Sequence, residues 1–159
     1  MAKRASESDG SRKSGAELVV RIGGWEQLGT AASAVRLAVF VQEQGIAAEL
    51  ELDERDAGAV HAVAFDARGE PIATGRLLPD GHIGRMAVLR AARGQGVGAT
   101  ILRSLMAIAI TKGMRELRLH AQTSALGFYA RQGFTPIGQE YLEAGIAHRT
   151  MVRALTSAG

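Results

Sequence analysis

The sequence predicts a mixed α/β fold, because its predicted elements follow the order strand, helices, three strands, helix, strand, helix and two strands. Two observations carry most of this prediction. Between residues 85 and 111, a short apolar strand runs through a glycine loop into a long amphipathic helix. Before it, turn signals at 67–69 and 79–81 divide the apolar runs into strands.

The helix after the glycine loop is the best specified element. It is predicted to end at Gly113, since glycine is common just past a helix C-terminus. Its apolar residues recur at spacings of three and four, which marks one buried face. These residues are Val97, Ile101, Leu102, Leu105, Ile108 and Ala109.

The remaining elements follow from shorter patterns. Thr30 is the expected N-cap of a helix over residues 31–41, and the acidic stretch 42–58 predicts a loop or a short second helix. A further helix is expected after residue 121. The predicted strands outside the glycine-loop segment cover residues 17–22, 60–65, 71–77, 116–121, 135–141 and 146–153.

The chain has 159 residues, and we expect one domain over residues 16–159. Residues 1–15 are mostly serine, glycine and charged residues, so this segment is predicted to be disordered. There is no long apolar run and no signal-peptide pattern, and we therefore expect a cytoplasmic location and no membrane partner. The absence of cysteine excludes a thiol nucleophile and disulfides.

The net charge of +3 raises the question of nucleic-acid binding. Only 4% of the residues are aromatic, and no platform for base stacking is visible. An anionic cofactor accounts for the clustered arginines equally well. We therefore expect no nucleic-acid partner.

The glycine loop, residues 93–98, has the character of an anion site. A helix start leaves about four N–H groups without intrahelical partners, and glycines let phosphate oxygens approach them closely. A P-loop would need Lys-Ser/Thr after the last glycine, where this chain has Ala99 and Thr100. Gly94, Gly96 and Ala99 fit a dinucleotide fingerprint, but the acid expected at the end of the next strand is missing, and Glu116 opens that strand instead.

A third phosphate loop matches fully. Arg93, Gly96 and Gly98 fit the pattern Gln/Arg-x-x-Gly-x-Gly/Ala of the GNAT superfamily, the acetyl-CoA-dependent N-acyltransferases. A second stretch resembles that superfamily's next helix, Asn-x-x-Ala-x-x-Phe/Leu-Tyr-x-x-x-Gly-Phe, with glutamine in place of the usual asparagine. The matching residues are Gln122, Ala125, Phe128, Tyr129, Gly133 and Phe134. Segments within 39–56, 75–77, 85–89 and 143–148 further resemble the small bacterial ElaA-like branch.

The resemblance implies an acyl-CoA N-acyltransferase fold, with a central twisted sheet of six to seven strands flanked by about four helices. It also implies acetyl-CoA as cofactor, with the pantetheine arm between two parted strands. The residues expected to bind the cofactor are Met86, Ala87, Val88, Arg93, Gly94, Gln95, Gly96, Val97, Gly98, Ala99, Gln122, Phe128 and Tyr129.

The implied reaction moves an acetyl group to a primary amine by direct attack in a ternary complex. Tyr129 matches the family's acid that protonates the leaving thiolate, although it is also a candidate core tyrosine. For the base we single out His61 and Glu43, with a structural role for His61 as the alternative. Other candidates by residue type are a water relay, Glu51, Asp53, His120 and His148.

The acidic residues Glu51, Asp53 and Asp56 lack the glycine and terminal glutamate of a calcium loop, so we expect no metal site. Two interpretations stay open. Glu51 and Asp53, with Arg76, are candidates for substrate binding. Alternatively, Asp53 or Asp56 forms internal ion pairs with Arg76 or Arg85, which we favour because a buried unpaired arginine is costly.

The acceptor is expected to be a small amine or a protein amine, and a homodimer is possible through the C-terminal strand edges. One alternative is a non-catalytic acyl-CoA-binding regulatory module. Another is an acyl-homoserine-lactone synthase, which would use S-adenosylmethionine and an acyl-carrier protein. That alternative depends on similarity at Arg36, Phe40, Glu51, Asp53, Asp56 and Arg76.

Overall fold

The computed structural model describes residues 17–48 and 53–156. The segment predicted to be disordered, residues 1–15, lies outside the described residues. No helix within the described ranges is long and apolar enough to span a membrane.

The structure is a mixed α/β fold built on one seven-stranded sheet, as predicted. The strands are β1 (Val19–Gly23), β2 (Val60–Phe65), β3 (Pro71–Leu77), β4 (His82–Val88), β5 (Glu116–Gln122), β6 (Thr135–Glu143) and β7 (Ile146–Ala154). The helices are α1 (Trp25–Arg36), a π-helix that continues it (Leu37–Glu43), α2 (Val97–Thr111) and α3 (Leu126–Arg131). Short 3₁₀ turns cover Glu54–Gly58, Arg90–Ala92 and Thr123–Ala125.

The strand order is β1-β2-β3-β4-β5-β7-β6. Neighbouring strands are antiparallel except β4 and β5, which run parallel. These two strands pair at only two positions, His82 with Arg118 and Ile83 with Leu119. Beyond Ile83 they part, so the second half of β4 has no ladder to β5.

A β-bulge lies where the two strands part. The register between β3 and β4 shifts between Thr74 and Arg76. On β4, Arg85 has a φ of 51°, which is the left-handed region that non-glycine residues rarely adopt. Because a bulge bends its strand and increases the local twist, β4 turns away from β5 at this point.

Helix α2 packs on the sheet through the predicted face. Five of the six predicted apolar residues are buried, and Ile108 packs at the edge of the same cluster. Alternate residues of β5 complete this core: Leu117, Leu119 and Ala121 are buried in it. The side chains of His120 and Gln122 therefore lie on the opposite face of the sheet.

The predicted start of the first helix was wrong. Helix α1 begins at Trp25, with Gly24 as its N-cap, and Thr30 lies inside it. The N–H of Gly24 donates to Oε1 of Gln27 at 3.3 Å, so a side chain within the first turn does the capping. The helix also runs further than expected, because its π-helical continuation ends only at Glu43.

A network of buried ion pairs joins α1, the 3₁₀ turn at Glu54–Gly58, β3 and β4. Arg36 donates twice to Asp56, both at 2.9 Å. Arg76 donates to Asp56 at 2.8 Å and to Asp53 at 2.7 and 3.0 Å. Arg85 reaches Asp53 at 3.2 Å. These are internal ion pairs of the kind favoured from the sequence.

The arginines keep both aspartates ionised. Hydrogen bonding from Arg76 lowers the pKa of Asp53 to about 2, against the opposing effect of partial burial. Burial alone would raise the pKa of Asp56, but the guanidiniums of Arg36 and Arg76 outweigh it and lower that pKa. The network is therefore fully charged at neutral pH.

Replacing the shared carboxylate should destabilise the fold. We expect Asp56→Ala to lower the free energy of unfolding by about 3–5 kcal/mol, because it removes the counter-charge that Arg36 and Arg76 share in the interior. Glu54→Ala is the matched control, since Glu54 lies exposed in the same turn and should change stability by no more than about 0.5 kcal/mol. Urea unfolding measures both, and equal losses would contradict the assigned role of Asp56.

Stability should also fall on acidification. An ordinary aspartate in the unfolded chain has a pKa of about 3.9. Because the folded pKa of Asp53 is lower, its contribution is fully present above pH 3.9 and is lost as the pH falls through about 2. Urea unfolding at pH 7, 4, 3 and 2 should show this loss, and Asp53→Asn should flatten it.

Candidate active site

The gap between β4 and β5 opens into a cleft with a volume of about 1160 Å³. Its walls come from β4, the glycine loop, the end of β5 and α3. The cleft brings together all but one of the residues predicted to bind the cofactor. The exception is Gln95, whose Nε2 donates to the carbonyl of Ala91 at 3.4 Å. The residues brought together are Met86, Ala87, Val88, Arg93, Gly94, Gly96, Val97, Gly98, Ala99, Gln122, Phe128 and Tyr129.

The glycine loop turns sharply at the start of α2. Gly94 and Gly96 have φ values of 78° and 80°, and a Cβ at either position would extend into open space. Gly96 is the N-cap of α2 and has no side-chain cap, and the first intrahelical hydrogen bond runs from the N–H of Thr100 to its carbonyl at 3.1 Å. The N–H groups of residues 97–99 are therefore available to an anion.

Gly98 is needed for a different reason. A Cβ at this position would lie 3.3 Å from Cγ2 of Val88 and 3.5 Å from Cζ of Phe128. The start of α2 is thus packed closely against both β4 and α3. A side chain at Gly98 would push the helix start away from the end of the cleft.

Glu43 holds the side chain of Arg93. The guanidinium of Arg93 donates to the two carboxylate oxygens at 2.7 and 2.6 Å, and its Nε donates to the carbonyl of Val88 at 2.9 Å. Arg90 adds a contact to Glu43 at 3.3 Å. These bonds, with Arg93 contributing most, lower the pKa of Glu43 to about 2. A carboxylate this acidic is a weak base, so the geometry argues against the predicted catalytic role of Glu43.

The other predicted base, His61, lies away from the cleft. It is fully buried on β2, which β3 separates from β4. Its Nε2 is 2.8 Å from the carbonyl oxygen of Asp56, and its ring lies 4.9 Å from that of Trp25. Burial lowers its pKa. These contacts match the structural role that was the alternative for His61, and its catalytic role stays a prediction that this position does not favour.

Arg76 and Asp53, two of the residues predicted to bind substrate, form an ion pair with each other. Arg76 contributes to the cleft wall but is only 3% exposed. Its two terminal nitrogens donate to Asp53 and Asp56, whereas its buried Nε has no hydrogen-bond partner among the described residues. Asp53 also contacts Arg85. Glu51 lies outside the described residues. Arg76 and Asp53 therefore stabilise the wall of the cleft, and substrate binding by these residues stays a prediction.

Tyr129 is both a core residue and a cleft residue. It is 8% exposed, and its ring meets those of Phe128 and Phe134 edge-on, with centroids 5.0 and 6.0 Å apart. It also lines the cleft. Burial raises the pKa of its phenol, so the hydroxyl stays protonated at neutral pH.

Sequence reasoning missed two polar pairs beside the cleft. The hydroxyl of Tyr141 lies 2.7 Å from Nδ1 of His120. The side-chain amides of Gln44 and Gln122 exchange hydrogen bonds at 3.0 and 3.4 Å, linking the end of the π-helix to the end of β5. The alternating pattern of β5 could have placed His120 and Gln122 on the face away from the core. Their partners could not be read from local sequence.

The sequence and the fold of this chain are similar to those of known proteins. The family model for the acetyltransferase (GNAT) domain matches residues 29–155. YjcF of Bacillus subtilis, described as an uncharacterized N-acetyltransferase, is 37% identical over 123 residues, which covers 75% of this chain and 87% of YjcF. The crystal structure of Escherichia coli ElaA has a TM-score of 0.77 and 27% identity, and the match covers 85% of this chain and 99% of ElaA.

A more distant likeness bears on the synthase alternative. BjaI, a CoA-dependent acyl-homoserine lactone synthase, has a TM-score of 0.71 and 16% identity, covering 87% of this chain and 84% of BjaI. At this identity the likeness shows a shared fold alone. The domain match over residues 29–155 and the identity to YjcF are more specific. By these matches, the chain belongs to the GNAT acetyltransferase family, whose members are acyltransferases that use acyl-CoA.

Proposed function

We propose that this protein transfers an acetyl group from acetyl-CoA to a primary amine by direct attack in a ternary complex. The observation that carries this proposal is the parting of β4 from β5 directly beside an uncapped glycine turn. The gap leaves backbone groups of one strand unpaired along a cleft, and the turn supplies an anion site at one end of it.

The residues present fit coenzyme A. Backbone N–H groups of Val97, Gly98 and Ala99 would hold the diphosphate, as helix starts commonly do. The open space at Gly94 and Gly96 leaves room for its oxygens. Arg93 is already neutralised by Glu43, so the backbone would contribute more to binding than this guanidinium.

The second half of β4 fits the pantetheine arm. Residues 86–88 lie on the cleft wall and have no ladder to β5. Their free backbone groups can therefore bond to the amides of an extended ligand, as a neighbouring strand would. The carbonyl of Val88 is the exception, because Nε of Arg93 already donates to it. An N–H in this bulged segment could also donate to a developing oxyanion.

The chemistry needs an acid on the side of the leaving sulfur. Acetyl-CoA, when bound, supplies an activated acyl group. Tyr129 holds a proton on its phenol at neutral pH and lines the cleft from α3. We assign it to donate this proton to the leaving sulfur.

The alternatives give distinguishable outcomes. A non-catalytic acyl-CoA-binding module would bind coenzyme A without consuming thioester in the presence of amines. The similarity to acyl-homoserine-lactone synthases depended partly on four residues that form ion pairs with one another: Arg36, Asp53, Asp56 and Arg76. Because this structural role explains why they occur here, they do not specifically support synthase activity. The cytoplasmic location, the homodimer and the choice between small-molecule and protein amines stay predictions.

Gly96→Ala tests the diphosphate site. A side chain at φ of 80° costs about 1–2 kcal/mol in stability, and here it would also enter the space proposed for the diphosphate. We expect the affinity for coenzyme A, measured by calorimetry, to fall at least about tenfold. Gly69→Ala is the matched control, because Gly69 has the same φ of 80° and open surroundings in the turn between β2 and β3.

The control should lose similar stability in urea and keep its affinity for coenzyme A. If both variants bound coenzyme A as tightly as the unchanged protein, the glycine loop would not be the diphosphate site. Absence of binding by the unchanged protein would refute the proposed function itself.

Tyr129→Phe tests the acid. We expect the rate of thioester consumption with an amine acceptor to fall by about 10²–10⁴-fold, which is the usual contribution of a general acid. The affinity for coenzyme A should stay nearly unchanged, because the ring and its packing against Phe128 are kept. Steady-state kinetics and calorimetry measure the two quantities, and an unimpaired rate would remove Tyr129 from the mechanism.

A further inference from the structure

His120 lines the cleft on the face of β5 that is opposite to the core, a position open to an acceptor amine. We propose that His120 is the general base that takes the proton from the acceptor amine, and that Tyr141 orients it. This inference rests on the proposed function and assigns the step that Glu43 and His61 cannot perform.

The position of His120 is set by the alternation of β5. Leu117, Leu119 and Ala121 face the core that contains Tyr129 and α2. His120 lies on the opposite face, exposed, and lines the cleft. The proposed acid and base therefore flank the gap from two sides of the sheet. An amine that enters from the His120 side would meet the base, while the leaving sulfur would meet Tyr129.

The contacts of the ring leave Nε2 as the open nitrogen, and we assign the tautomer with the proton on Nδ1. Nδ1 lies 2.7 Å from the hydroxyl of Tyr141 and 3.2 Å from that of Thr150. None of the described residues hydrogen-bonds to Nε2. If Nδ1–H donates to the oxygen of Tyr141, the lone pair of the neutral ring is on Nε2, where it can accept a proton from the amine.

The surroundings keep this imidazole neutral. Partial removal from water lowers the pKa of His120, and the nearby charges of His82, Arg118 and His148 lower it further, while Glu143 opposes them. His82 on β4 stacks on His120 with centroids 5.5 Å apart. A neutral ring at pH 7 is the form that a base requires.

The other candidates are less well placed. Glu43 is bound by Arg93, and Asp53 by Arg76. His61 is buried away from the cleft. His148 is buried on β7, and its Nδ1 lies 2.7 Å from the carbonyl of Ile146. Among these groups His120 alone combines exposure, a place on the cleft wall and a side-chain partner that orients it. His82 also lines the cleft and pairs with Asp80 at 3.0 Å, and its replacement is tested separately below.

The proton balance is complete without another reactant. The N–H bond of the amine breaks as its nitrogen bonds to the acyl carbon, and the proton goes to Nε2 of His120. The bond from the acyl carbon to sulfur breaks, and Tyr129 gives its proton to sulfur. His120 then releases a proton to solvent and Tyr129 regains one. The products are an amide and a thiol.

The test is the pH dependence of thioester consumption by the full chain. The probe is acetyl-CoA with a panel of primary amines, from α-amino groups with a pKa of about 8 to lysine side chains at about 10.4. For the unchanged protein, acidification lowers the rate in two ways. Protonation of each amine to ammonium does so at a pH that varies across the panel, and protonation of His120 gives an acid limb that is common to all acceptors. His120→Gln should lower the rate by about 10²–10⁴-fold, abolish this acid limb and keep the affinity for coenzyme A.

Substitutions at two residues near His120 should shift the acid limb of the pH profile in opposite directions. Because the charge of His82 lowers the pKa of His120, His82→Gln should shift the acid limb to higher pH. Because Glu143 raises that pKa, Glu143→Gln should shift the limb to lower pH. A merely structural histidine would not produce this pair of shifts. Tyr141→Phe should lower the rate by about tenfold and retain the acid limb.

The failures can be told apart. If the unchanged protein binds coenzyme A but consumes no thioester with any amine, the proposed function fails, and this inference fails with it. If the unchanged protein is active and His120→Gln keeps both the rate, within about threefold, and the acid limb, only the assignment of His120 is overturned. Shifts of the limb in the same direction for His82→Gln and Glu143→Gln would also overturn it.

Discussion

The parallel pairing of β4 with β5 lasts for only two residue pairs, and the candidate site depends on this short ladder. If the ladder continued, the backbone of residues 86–88 would bond to β5 and no cleft would exist. The bulge at Arg85 bends β4 away, at the cost of a left-handed conformation. Strain of this size persists only where neighbouring contacts hold it, and here the carboxylate of Asp53 contacts the Arg85 guanidinium.

The charged residues divide into two groups with different tasks. Asp53 and Asp56 pair with Arg36, Arg76 and Arg85, and these ion pairs join α1 to β3 and β4. Glu43 and Arg93 similarly join the end of the π-helix to the glycine loop. Charges already matched in this way are poorly suited to proton transfer. The proposed acid and base, Tyr129 and His120, belong to neither group.

Where the sequence pattern was local, prediction and structure agree closely. The bounds of β2 and β3 are as predicted, because a hairpin turn punctuates each apolar run. The buried face of α2 was also predicted, because its spacing reflects one helix packed on one sheet. The start of α1 was missed because Gly24 is capped by Gln27 from within the helix, whereas a threonine further along offered the more familiar signal. The sequence placed His120 only among several candidate bases, because nothing local distinguished its surroundings from those of His61 and His148.

The sequence by itself determined the glycine turn, the helix after it and the position of Tyr129 on the next helix, since each depends on residues close together in the chain. The tertiary structure decided which charges pair and which histidines line the cleft, namely His82, His120 and His148. Arg93 meets Glu43 from 50 residues away, and Gln122 meets Gln44 from 78 residues away. The electrostatic state of a side chain is set by whichever groups folding brings within a few ångströms of it. For that reason the contacts of Glu43, His61 and His120 became visible only in the folded structure.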